Sequence, residues 1–181
     1  MRRRTTTVLL VLATAVLGAL VPATAAHAAS CAGAGANPHD LTVGQARAAT
    51  ICLLNAERRA RGLAPLRHND GLALAGQRHA RDMVRRRYFS HVSRGGTPFS
   101  TRIKRTGYLR GAGRALLGEN LAWGSGRLAT PREIVRTWMR SPGHRANILK
   151  PAFREVGIGI VRARPAGTPG ATYAAEFGRR Y

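Results

Sequence analysis

Three residues have side chains that could do chemistry together: His91, Glu119 and His144. Two imidazoles and a carboxylate are the donors a divalent ion such as zinc takes, and three protein ligands leave a fourth position for water or a bound molecule. An ion held there would activate that water, with Glu119 as ligand or base, which is the chemistry of metal-assisted hydrolysis. The same side chains would equally serve as a hydrogen-bonded network tying loops together inside a layered fold. Other hydrolytic constellations are missing from the sequence. There is no G-x-S-x-G elbow, no H-E-x-x-H helix, and no cysteine to spare if Cys31 and Cys52 pair.

The three residues lie far apart in sequence, so the surrounding elements must bring them together. Positions 42–61 have helical periodicity, with Asp40 or Thr42 as the cap and Gly62 as the stop. A turn through Leu63, Ala64, Pro65 and Leu66 leads to Asn69, the cap of a second helix running to about Arg87. Its inner stripe is Leu72, Ala75, Gly76, His79 and Met83, which makes His79 a buried, hydrogen-bonded histidine. Thr97 and Pro98 open a short helix that adds Ile103 and ends at Gly107, and positions 108–117 are expected to be loop. Thr130, Pro131 and Glu133 form a capping box for a helix burying Ile134, Val135 and Trp138, and Ser141 with Pro142 opens a further helical turn through Ile148. Beyond Pro151 the period changes to two. Val156, Ile158 and Ile160 form one strand, positions 164–170 a hairpin loop, and Tyr173, Ala175 and Phe177 the returning strand. Helices before and between strands predict an α+β domain in which helices cover an antiparallel sheet.

The amino-terminal residues predict export. Arg2, Arg3 and Arg4 precede an apolar run over positions 8–21, and Ala26 and Ala28 satisfy an A-x-A cleavage site. The run is shorter than the roughly 20 residues of an ordinary membrane helix, so residues 1–28 are expected to be a signal peptide, with no span left after its removal. Residues 29–41 then form a leader and 42–181 a single domain. Both cysteines follow the cleavage site, and an even pair in an oxidising compartment predicts a Cys31–Cys52 disulfide pinning the leader to the first helix. Two inert thiols, or metal ligands lacking CxxC spacing, are the weaker alternatives.

The formal charge is +22, and removing the three leader arginines leaves +19 on the remainder. Such a field predicts retention on anionic cell-envelope polymers or lipid headgroups. The basic residues are nearly all arginine, as a GC-rich coding sequence would supply without selection for binding. The sequence has no recognition helix, zinc finger or aromatic platform that would indicate a specific nucleic acid.

Four signatures follow one another: Leu54-Asn55-Ala56-Glu57-Arg58, Tyr88-Phe89-Ser90-His91, Gly118-Glu119-Asn120-Leu121-Ala122, and Trp138 to Leu149 through Ser141-Pro142-Gly143-His144. With the Val156-Gly157-Ile158-Gly159 strand, they resemble the bacterial branch of the CAP superfamily, the SCP domain of cysteine-rich secretory, antigen-5 and pathogenesis-related proteins. The resemblance implies a secreted α-β-α sandwich with a cleft lined by two histidines and two glutamates. His91 matches the first histidine, Glu119 the first glutamate and His144 the second histidine, while Ser141 stands where the second glutamate is expected. Asn120, Arg145 and Asn147 rim the cleft or cap turns, and Asn55 and Arg58 tie the first helix to a neighbouring loop. Some family members take apolar ligands such as lipids or sterols. The expected function is therefore that of a monomeric extracellular or wall-associated binding module without catalysis. The alternative is a metal-dependent hydrolase using His91, Glu119 and His144.

Overall fold

The structure, a computed structural model, describes residues 31–181. The signal peptide and its cleavage point lie outside the described residues. Helix α1 (Val43–Arg59) begins where Thr42 and Gln45 cap each other: the Gln45 amide N–H donates to the Thr42 hydroxyl at 3.1 Å, and the Thr42 N–H donates to Gln45 Oε1 at 2.8 Å. It ends two residues before the expected Arg61. Gly62 follows with φ +67°, a conformation that side-chain-bearing residues rarely adopt. Strand β1 (Arg67–His68) falls between the expected 63–66 turn and the Asn69 cap, where no element was expected. Two exposed residues carry no alternation, and pairing with β3 alone makes them a strand. Helix α2 (Asp70–Arg85) starts at Asn69, whose side chain accepts from the Leu72 N–H.

Helix α3 (Phe99–Lys104) is capped by Pro98, one residue later than expected. Strand β2 (Ala115–Gly124) takes over the last three residues of the expected 108–117 loop and runs on to Gly124. It carries no clean alternation because both of its faces are covered, so the sequence there gives no period-two signal. Helix α4 (Pro131–Arg140) and helix α5 (Pro142–Ile148) follow, with Ser141 between them. Strands β3 (Glu155–Val161) and β4 (Ala171–Arg180) form the expected hairpin.

The strand order is β1-β3-β4-β2, with β1 parallel to β3 and the other pairs antiparallel. Helices α1, α4 and α5 pack on one face of the sheet around Leu54, Trp138, Ile148, Ile158, Tyr173 and Phe177. Helices α2 and α3 cover the other face with Leu72, Met83 and Ile103. This is an α-β-α sandwich, as expected. On β3, Val156, Ile158 and Ile160 fill the first face, and the intervening glycines let α2 approach the strand backbone directly. A Cβ at Gly157 would lie 1.9 Å from the Ala73 nitrogen, and one at Gly159 2.1 Å from the Gln77 nitrogen.

The Cys31–Cys52 disulfide is formed, with the two Cα atoms 5.8 Å apart. The segment ahead of α1 is more than a tether. Cys31 and Ala34 are buried in the main core, and the Arg132 N–H donates to the Ala34 carbonyl at 2.8 Å. Among the described residues, no helix is long and apolar enough to cross a membrane.

Candidate functional site

The loop after α2 carries His91. Its entry is fixed by a helix stop: Arg87 adopts φ +53°, and the Tyr88 N–H returns to the Met83 carbonyl at 3.0 Å. Tyr88 then donates its hydroxyl to Asp82 at 2.5 Å. Strand β2 supplies Glu119 and Asn120, α5 supplies His144 and Asn147, and α3 supplies Arg102, which sequence reasoning did not single out.

The centre of the site is Glu119. Its side chain is 1% exposed, whereas that of His91 is 53% exposed. Glu119 Oε1 meets His91 Nδ1 at 2.7 Å, and Oε2 accepts from Arg102 Nη2 at 2.5 Å. Arg102 also donates from Nη1 to the carbonyls of His91 at 2.9 Å and Thr97 at 3.0 Å. One guanidinium thus anchors both the loop backbone at His91 and the carboxylate that orients the His91 ring. A buried carboxylate at position 119 needs a cation beside it. That requirement was the one signal that could have pointed to Arg102.

A second carboxyl comes from β4, not from the segment after Trp138. Glu176 is the register partner of Glu119 and is fully buried. Burial, and then the Glu119 charge, push it well above the usual carboxylate range. Neither of its oxygens finds a protein donor among the described residues. That arrangement suits a neutral, protonated acid beside the Glu119 charge. For Glu119 itself, burial acts upward, but hydrogen bonds with His91 and Glu176 and the Arg102 charge hold it below its ordinary value. Glu176 was legible only as a lone acid in an otherwise apolar buried strand.

Asn120 and Asn147 position α5, the first fully buried and the second half-buried. Asn120 is fully buried and donates to the His144 carbonyl at 3.0 Å. Asn147 donates to the Glu119 carbonyl at 3.1 Å and to Asn120 Oδ1 at 2.9 Å. His144 lies within electrostatic reach of His91. Burial, and then the His91 charge, push its pKa below the ordinary value, and its Nδ1 is buried without a partner. Ser141 is the N-cap of α5, but its side chain makes no capping hydrogen bond and supplies no carboxylate. His79 is buried as expected, with Nε2 on the Ser90 carbonyl at 2.9 Å. Burial and Arg102 keep it neutral by lowering its pKa. A cavity of about 400 Å³ opens beside it, lined by Ala75, His79, Ser93, Thr97 and Arg102.

The geometry admits an ion at the imidazoles more readily than at the carboxylate. His91 Nδ1 is taken by Glu119, which leaves Nε2, and His144 adds a second nitrogen. Both Glu119 oxygens are engaged, one by a guanidinium that opposes any dication placed there. Glu119 is thus placed to fix the orientation of the His91 ring, the position a carboxylate takes behind a histidine rather than as a ligand itself. Among the described residues, no three His, Cys, Asp or Glu side chains gather around one point. Asn55 and Arg58 are structural. Asn55 pairs with both backbone groups of Leu66, and the buried Arg58 donates to the carbonyls of Ala64, Ile148, Lys150 and Phe153.

An α-β-α sandwich with paired histidines and carboxylates at the edge of its sheet defines an SCP-type domain. The chain belongs to the CAP family, the cysteine-rich secretory protein family, whose model matches residues 52–174. It is 38% identical over 112 residues to the uncharacterized protein YkwD of Bacillus subtilis (strain 168); the match covers 61% of this chain and 40% of that protein's length. Among solved structures, it is similar to an extracellular SCP-domain protein of Bacillus anthracis str. Ames, with TM-score 0.61 and 25% identity over 77% of this chain and 44% of that one. An outer surface protein of Borrelia burgdorferi shares the fold at TM-score 0.59 and 21% identity, over 71% of this chain and 87% of that one.

Proposed function

We propose that this chain is a secreted binding module whose cleft offers the His91 and His144 imidazoles to a divalent ion such as zinc, and through it to a ligand, without catalysing hydrolysis. The observation that carries this reading is the engagement of Glu119. Its two oxygens are spent on His91 and Arg102, so this buried carboxylate orients a histidine and has no free oxygen to act as a base toward water. The extracellular and outer-surface descriptions of the similar structures support export, as does the expected signal peptide. The strong positive charge favours retention on the anionic envelope.

Calorimetric titration with zinc tests the reading on the protein and on His91→Ala and His144→Ala. Each variant is expected to lose binding, and affinity in the parent to fall on acidification as the imidazoles protonate. Undiminished binding in both variants overturns it.

A further inference from the structure

At the end of the sheet away from Glu119, arginines from four segments surround a single depression. Arg67 comes from β1, Arg110 from the loop after α3, Arg154 from the turn before β3, and Arg179 and Arg180 from the end of β4. The depression has a volume of about 310 Å³. It shares no lining residue with the His91 cleft. Arg180 lies four residues beyond Glu176 on β4, about 13 Å along the strand.

The charge here is not balanced by the protein. The one acidic side chain lining the depression is Glu155, and it is already committed: Tyr108 donates its hydroxyl at 2.7 Å, Asn69 its amide at 3.0 Å and Arg180 its guanidinium at 3.3 Å. Tyr108 reaches it by lying across Gly178, where a Cβ would fall 2.3 Å from the phenol oxygen. This buried strut holds Arg180 at the rim, with its guanidinium 4.9 Å from the centre of the Tyr108 ring. Arg154 is turned onto the backbone carbonyls of Pro151 and Phe153. The guanidiniums of Arg67, Arg110 and Arg179 have no hydrogen-bond or ion-pair acceptor among the described residues. Two unpaired planar forks, Arg67 and Arg110, with Arg179 held over the Tyr181 ring and Arg180 fixed by Glu155, form a cradle for a tetrahedral oxyanion.

We infer that this depression is a phosphate-binding site, distinct from the histidine cleft, that takes phosphodiester groups of an extracellular anionic polymer. The volume admits one phosphate with its flanking polyol units. The one aromatic ring lining it, Tyr181, already carries the Arg179 and Arg114 guanidiniums 4.5 and 4.6 Å from its centre, and a single ring offers no run of platforms for successive bases, which argues against a nucleic acid as the partner.

The test is titration of the oxidised protein with purified poly(glycerol phosphate), comparing the parent with Arg67→Gln/Arg110→Gln and with Arg81→Gln/Arg85→Gln. The second pair removes the same charge from exposed positions on α2 that make no side-chain pairs. The pocket variant is expected to lose about tenfold or more in affinity and the control less than about threefold. Unchanged thermal unfolding in both verifies that the fold is intact. Millimolar inorganic phosphate is expected to displace the polymer from the parent. Selective binding to phosphatidylglycerol vesicles, with the same dependence on Arg67 and Arg110, would assign the phosphate to a headgroup and still support the site's chemistry. Equal losses in the two double variants, or equally tight binding of polyglutamate, would overturn the proposal. So would tighter binding of duplex DNA through the same residues.

Discussion

Glu119 and Glu176 are register partners on β2 and β4, and their surroundings displace them in opposite directions, Glu119 below the usual carboxylate range and Glu176 well above it. The Cγ of Glu176 lies against Gly76 of α2, where a Cβ would come within 3.4 Å of it, so this carboxyl is enclosed between helix and sheet. Two buried carboxylates cannot both ionise beside one guanidinium, and the proton stays on the residue that Arg102 does not hold. The site therefore carries one negative charge, fixed at the oxygens that orient His91.

This pair makes stability depend on pH in two opposed ways. Glu176 has a raised folded value, so its contribution is complete below the unfolded value and is lost as pH rises through the folded one. Glu119 has a lowered value, so its contribution is present above the unfolded value and is lost as pH falls through the folded one. Glu176→Gln, which needs no proton, is expected to gain stability over the parent as pH rises above about 5. Glu119→Gln leaves Arg102 buried without its counter-charge and is expected to cost about 3 kcal/mol at neutral pH. Urea unfolding across pH 4–8 measures both, and superimposable pH profiles for the parent and Glu176→Gln would refute a protonated Glu176.

The contact between α2 and β3 allows no side chain at Gly157. Gly157→Ala is expected to destabilise the fold by about 3 kcal/mol or more, because the new Cβ meets helix backbone, which cannot rotate away. Gly143→Ala, in α5 with open space around it, is expected to be neutral or stabilising by about 0.5 kcal/mol. Equal denaturation midpoints for the two variants would contradict this account of the packing.

Reducing the Cys31–Cys52 bond, or replacing both cysteines by serine, frees a segment that contributes to the core. Closing a loop of 21 residues is expected to supply about 3 kcal/mol. Denaturant unfolding with and without reductant measures it. Intact-mass analysis of exported material checks both the bond and cleavage after Ala28.

Retention on the envelope through general charge should be steeply salt-dependent, since the screening length falls from about 10 Å at 0.1 M to about 3 Å at 1 M. Salt washes of intact cells are expected to release the protein progressively. Retention unchanged at high salt would point to a specific anchor.

The sequence revealed elements that leave one face exposed or start with a distinctive cap. Thr42, Asn69 and Thr130 mark three helices because capping is local chemistry, and Val156-Ile158-Ile160 marks β3 because its large side chains all fill one face. Strand β2 was only partly legible, since burial on both faces removes alternation, and β1 was not legible at all. His91, Glu119 and His144 could be named from their types and motif positions. Their partners Arg102 and Glu176 could not, because a two-strand register and the docking of a six-residue helix create those contacts. Ser141 was matched by its place after Trp138, whereas the second carboxyl reaches the site from a different strand.

Strand β4 lies between β2 and β3, so its ten residues complete the ladders on both sides. A chain crossing a membrane amino end first would deliver β4 after every other element described above. Until it arrives, β2 has no partner, Glu119 lacks Glu176, and the two helical layers have no complete sheet to close on. Non-local pairing of this kind also forms slowly. For a chain exported in that way, the topology would keep the polypeptide threadable through a narrow channel for most of its passage and postpone closure of the domain to the far side, where the cysteines could oxidise.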